Sequence, residues 1–190
     1  MFKFPKCFVV FLIAFASTSP TYSQVIDELI VIETCLDEFE VLRGDNDAID
    51  MDDLKEAGDG QTQKIQSGFV LNSAEPPVWV TGCISDPCIG LLFGLDFNIS
   101  TSANTPGLTM CIEALNVNTN QWDEIGTFDQ SFFGIQTESL EVPNWFDYID
   151  DKFQFRVGWK RTGFVLVNPW CIEIDSITVD VKCIVTSTID

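Results

Sequence analysis

From residue 37 onward, apolar and polar side chains alternate in short runs separated by Gly, Pro, Asn and Asp. Leu91, Phe93, Leu95, Phe97 and Ile99 fall on one face of such a run, with Asp96 and Asn98 on the other. In 152–157, Phe153, Phe155 and Val157 point one way while Lys152, Gln154 and Arg156 point the other. A period of two is the mark of a half-buried strand in an antiparallel sheet, and no segment carries a stripe at the helical period. The runs 39–42, 61–71, 78–81, 91–99, 108–117, 122–128, 136–142, 152–157 and 172–181 predict about nine strands. Turn residues at 104–107 and 118–120, and prolines at 76–77 and 143, separate them. An acidic loop spans 45–60, with a helical turn at 52–57, and 145–151 is a loop or a single helical turn. Such a series of short strands and turns predicts an all-β fold, an antiparallel β-sandwich of jelly-roll type.

The last run contains a change of phase. Ile172 and Ile174 are apolar at even positions, whereas Ile177, Val179 and Val181 are apolar at odd ones. Side chains alternate strictly along a strand, so one extra residue near Asp175-Ser176 is needed to keep both sets inward. A β-bulge is predicted there.

The 190 residues suit one domain. Lys3 and Lys6 precede an apolar run at 8–16 that is followed by small and polar residues. The run is shorter than a bilayer span, which identifies 1–23 as a removable signal peptide. The expected domain is then 24–190, secreted and extracellular, with no membrane span. The net charge of -19 would repel phosphate backbones, which argues against a nucleic-acid partner. Disorder is argued against by 46% hydrophobic residues, including 16 Phe and 5 Trp, enough to build a core.

Cys35, Cys83, Cys88, Cys111, Cys171 and Cys183 follow the leader, and in an oxidising compartment they read as disulfides. The chain has no His and no C-x-x-C pair, so a structural zinc site is the weaker reading. Cys171 and Cys183 on one extended strand, at about 3.3 Å per residue, stand beyond bonding reach of each other. A local bridge between Cys83 and Cys88 is expected instead.

Asp45, Asp47, Asp50, Asp52 and Asp53 resemble a calcium loop in composition, but the spacing is off and the required Gly is missing, so a solvated acidic loop is the leading reading and calcium the alternative. Without His, Ser-His-Asp and Cys-His nucleophile systems are excluded. A glycosidase carboxylate pair cannot be singled out among 29 acidic residues. Asn98-Ile99-Ser100 is a glycosylation sequon whose Asn98 should face outward. Trp79, Trp122, Trp145, Trp159 and Trp170 offer surfaces for stacking on sugar rings or for core packing.

From Thr105 to Asp180 the chain resembles modules of exported proteins from environmental bacteria. The resemblance rests on Thr105-Pro106-Gly107-Leu108-Thr109, Ile112-Glu113-Ala114-Leu115-Asn116, Asn120-Gln121-Trp122-Asp123, Asn168-Pro169-Trp170 and, most specifically, on 155–164 with Arg156-Val157-Gly158-Trp159. It implies a jelly-roll sandwich similar to galactose-binding-like domains and brings no activity with it. Within the matching stretch Arg156, Lys160 and Arg161 cluster beside Trp159 and Trp170, an electropositive spot on an acidic protein. Trp159, Lys160, Arg161, Trp170 and Trp122 are therefore the candidate ligand-binding residues, for a carboxylated glycan or for a neighbouring copy. The expected function is a non-catalytic extracellular module for adhesion or surface-structure assembly, with a glycan or protein partner at the cell surface. A carbohydrate-binding module is the alternative and a glycoside-active enzyme the second.

Overall fold

The alternating runs pair into two antiparallel sheets that bury their apolar faces against each other. The computed structural model describes residues 10–14, 24–46, 51–55, 57–68, 75–85, 88, 90–162 and 169–189. Twelve strands lie within them: β1 (Val10–Ala14), β2 (Gln24–Cys35), β3 (Glu38–Arg43), β4 (Asp45–Asn46), β5 (Gln63–Gln66), β6 (Val78–Ser85), β7 (Leu91–Ala103), β8 (Leu108–Asn116), β9 (Gln121–Asp129), β10 (Gln136–Glu141), β11 (Lys152–Arg161) and β12 (Cys171–Ile189). Short 3-10 turns occupy Met51–Leu54 and Trp145–Asp147, close to the two helical turns expected from the sequence. The strands beyond the predicted set are β1, β2 and β4, where alternation is weak. β1 lies inside the expected leader and pairs with β2.

One sheet has five strands in the order β3-β6-β11-β8-β9. The other has seven and is organised by β12. On one side β12 pairs with β5 and then β2; on the other it pairs with β7, which pairs with β10. The inward residues Phe153, Phe155, Val157 and Trp159 of β11, and Leu95, Phe97 and Ile99 of β7, are all fully buried. Phe97 and Phe155 meet edge-on across the sandwich, 4.8 Å between ring centres. Burying each such side chain stabilises the fold by about 1.5–3 kcal/mol. Among the described residues no helix is long and apolar enough to cross a membrane.

The bulge is where the parity argument put it. Ile174 pairs with Thr101 and Ser176 with Ser100, leaving Asp175 as the extra residue. Ile172, Ile174, Ile177, Val179 and Val181 consequently all face the core. Asp175 is buried too; its Oδ2 accepts the Gly58 N–H at 2.8 Å, and its Oδ1 has no partner among the described residues.

Two expectations are corrected by side-chain direction. Cys83 does not bond Cys88. Cys83 lies on the outward parity of β6, while Cys88 reaches the opposite sheet and bonds Cys183, which faces the core from β12. The bridge spans a sequence separation of 95, and Cys83, Cys111 and Cys171 are free thiols. Leu91 and Phe93 do not continue the buried face of Leu95, Phe97 and Ile99. A second register shift, between Lys182 and Cys183, breaks the phase of β7, and both side chains are exposed.

Candidate functional site

The outer face of the five-stranded sheet collects the polar half of its strands. β11 turns Lys152, Gln154, Arg156 and Lys160 outward; β6 adds Trp79, Thr81 and Cys83, and β3 adds Glu38, Glu40 and Leu42. Two depressions lie end to end along these strands. One, of about 500 Å³, is bordered by Glu38, Glu40, Thr81, Cys83, Lys152 and Gln154. The other, of about 470 Å³, is bordered by Arg43, Trp79, Glu113, Glu124, Arg156 and Lys160. With a rise of about 3.3 Å per residue, Lys152 to Lys160 extends roughly 26 Å, room for several linked sugar rings.

Arg156 forms the centre of the second depression. Its Cζ lies 4.8 Å from the Trp79 ring centre and 4.6 Å from that of Trp122, so two indoles are within cation–π distance of the guanidinium. Such contacts hold a cation through the ring quadrupole. Arg156 Nε donates to Glu113 Oε2, a residue directly opposite on β8. The glycine at 158 makes this packing possible: a Cβ there would stand 2.9 Å from both Pro76 and the Trp79 ring. Trp79, Arg156 and Trp122 come from three strands and are brought together only by the sheet order.

Two further cations along the face are paired. Arg43 meets Glu75 at 2.8 Å and donates to the Pro76 carbonyl at 3.1 Å. Lys152 meets Glu38 at 2.8 Å and lies 3.8 Å from the Cys83 sulfur. The hydrogen bond to Glu38 raises the Lys152 pKa above the usual lysine value. Burial pushes the Cys83 and Cys111 thiols up, with nearby Glu38 and Glu113 adding to it, so both stay protonated at neutral pH.

The residues expected to bind ligand divide between inside and outside. Trp159 and Trp170 are buried and present no surface to a sugar, which corrects that part of the expectation. Trp159 Nε1 donates to Gln130 Oε1 at 2.8 Å, and the same oxygen accepts the Thr101 hydroxyl at 3.0 Å. Strand β11 runs on to Arg161, so the parity that buries Phe155 and Val157 buries Trp159 as well. Lys160 borders the groove and Trp122 lies against Arg156, while Arg161 is exposed at the strand end. Sequence reasoning named Trp79 only among the tryptophans and did not single out Arg43, Glu113 or Lys152. The available signal was the outward Gly158, a strand glycine that marks close approach by a neighbour.

The acidic loop is described in part. Asp47 and Asp50, and the Asp53 side chain, lie outside the described residues. Asp45 and Asp52 are exposed, and Asp52 pairs with Lys55. Among the described residues no group of three or more His, Cys, Asp or Glu is placed to hold a metal ion. Asn98 is tied into the opposite sheet's outer face, donating to Asp180 at 3.2 Å and accepting from Ser139 at 2.6 Å.

No family model matches the chain, and no curated protein does. Solved structures similar to it include a family 29 carbohydrate-binding module, at TM-score 0.48 and 13% identity over 79% of this chain and 88% of that one. A second comprises the CBM22-1–GH10 modules of Clostridium thermocellum xylanase 10B complexed with xylohexaose, at TM-score 0.44 and 10% identity over 75% of this chain and 25% of that one. A third is TmCBM61 in complex with β-1,4-galactotriose, at TM-score 0.42 and 8% identity over 76% and 89%. At these scores none lends this chain its ligand. Each contains a carbohydrate-binding module and none is described as an adhesion or assembly module, so the expectation of adhesion or surface assembly is not carried forward.

Proposed function

We propose that the chain is a non-catalytic carbohydrate-binding module whose ligand lies along the outer face of the five-stranded sheet. The observation that carries this reading is the bracing of Arg156 between Trp79 and Trp122 in an open groove. Sugar rings present hydroxyls at their edges and C–H groups on their faces. A surface suited to them combines fixed donors and acceptors with aromatic walls, and Trp79, Trp122, Arg156 and Glu113 supply that combination. Stacking and the Glu113 contact hold the guanidinium still before any ligand arrives, which reduces the ordering cost of binding.

Of the groove carboxylates, Glu38, Glu75 and Glu113 are engaged in ion pairs, and the other two, Glu40 and Glu124, border different depressions. Recognition is thus the role this surface supports, ahead of cleavage, which needs two carboxylates flanking the scissile bond. Export of the chain belongs to the same reading. The basic-then-apolar amino terminus and the Cys88–Cys183 bridge both support it.

Tryptophan fluorescence titrations with soluble glucomannan, xylan and polygalacturonate, after a glycan-array screen, test the proposal. Trp79→Ala and Trp122→Ala should each weaken binding at least tenfold, about 1.4 kcal/mol, with the circular dichroism spectrum unchanged. Binding that survives in both variants, or no binding to any glycan, overturns it.

A further inference from the structure

The ion pairs of this acidic protein leave a pattern at one end of the groove. Arg43, Lys55, Lys64, Lys152, Arg156 and Lys182 each have a carboxylate partner. Among the described residues the cations without one are Lys160 and Arg161, adjacent at the end of β11. With 29 acidic residues against 10 basic ones, an unpaired pair of cations is the exception. Lys160 borders the same depression as Arg156.

Arg156 is itself only partly used. Two indoles lie against it and its Nε is given to Glu113, while its terminal N–H groups meet no acceptor among the described residues. Such an edge is shaped to receive a planar, two-oxygen acceptor, since guanidinium and carboxylate form paired parallel hydrogen bonds. Glu124 is the carboxylate of this depression that no cation holds. It is exposed on β9, accepts the Thr127 hydroxyl at 2.7 Å, and stands directly opposite Glu113. An anionic ligand is therefore directed away from β9 and toward Lys160.

We propose that the groove takes a uronic-acid-bearing glycan, with the sugar carboxylate received by Lys160 and the terminal edge of Arg156. This rests on the carbohydrate-binding reading and names the class of sugar. The site is open to solvent, so salt should weaken the attraction.

Calorimetric titration of the full chain with oligogalacturonate, its methyl ester, xylan oligosaccharides and a sulfated galactan tests it. The ester keeps the sugar backbone and removes the charge. The expected result is affinity for oligogalacturonate that falls about tenfold on esterification, falls similarly in Lys160→Gln, and declines with added salt. Equal affinity for acid and ester, or binding confined to neutral or sulfated glycans, overturns the uronate assignment and leaves the carbohydrate-binding reading standing. Absence of binding to every glycan overturns both.

Discussion

On the outer face of the seven-stranded sheet, Glu141, Asp96, Asp180 and Glu33 stand in one row across four neighbouring strands, β10, β7, β12 and β2. On the five-stranded sheet, the corresponding cross-strand row sets Glu113 against Arg156 and flanks the guanidinium with two indoles. Both faces arise from the same rule, that every second residue of a strand points to solvent. The difference lies in what fills those positions. The acidic row is relieved by Lys182, 2.8 Å from Asp96, and by Asn98 donating to Asp180. That row holds no aromatic side chain to stack on the face of a sugar ring, and it repels an anionic glycan. Charge alone therefore does not distinguish the proposed binding face; opposite charges interleaved with aromatic rings do.

The contrast is broken most severely from the inside of the strand that supplies the groove. Trp159→Ala removes a buried indole and one of the two hydrogen bonds to Gln130 Oε1, and should cost about 3–5 kcal/mol of stability, read from urea denaturation. Trp122→Ala, one surface layer away, should stay within about 1 kcal/mol of the parent while losing glycan affinity. Similar stability losses in both would mean that Trp122 belongs to the core.

A subtler change addresses the wall. Gly158→Ala forces the Trp79 ring and Pro76 to move, because the new methyl would sit 2.9 Å from each. Glycan affinity should fall about tenfold in fluorescence titrations with little change in circular dichroism. Unaltered affinity would show that the Trp79 position is immaterial to recognition.

The smallest effect is expected on the acidic face. Burial, with Asp180 directly opposite, raises the pKa of Glu33 above the usual glutamate value. A carboxyl whose folded pKa is raised costs stability when ionised. That cost is complete at neutral pH, shrinks as pH falls through the raised value, and is gone below the ordinary one. Glu33→Gln should therefore stabilise the chain at pH 7 by a few tenths of a kcal/mol to about 1 kcal/mol. The gain should vanish in acid, as followed by thermal melting across pH. Glycan binding should be untouched; a change there would place the ligand on the wrong sheet.

Much of the fold was legible because one face of each strand must be dry. That constraint is strict enough for the phase change between Ile174 and Ile177 to locate the bulge at Asp175. The same constraint, extended along β11, would have assigned Trp159 to the interior and Lys160 to the surface. The cluster of Trp and basic residues read from 156–170 mixed two faces of one strand. The register shift beside Cys183 was not legible, because it depends on the partner strand, and Leu91 and Phe93 were misplaced for that reason. β2 carried too little alternation to be read, since it is held by its length along β12.

The sequence by itself determined an all-β sandwich, the inward half of most strands and the position of the bulge, because alternation is a local property of the backbone. Only the tertiary structure decided which cysteine meets Cys88 and which indoles enclose Arg156. Those contacts join residues far apart in the chain, and strand order, which no short-range pattern encodes, brings them together.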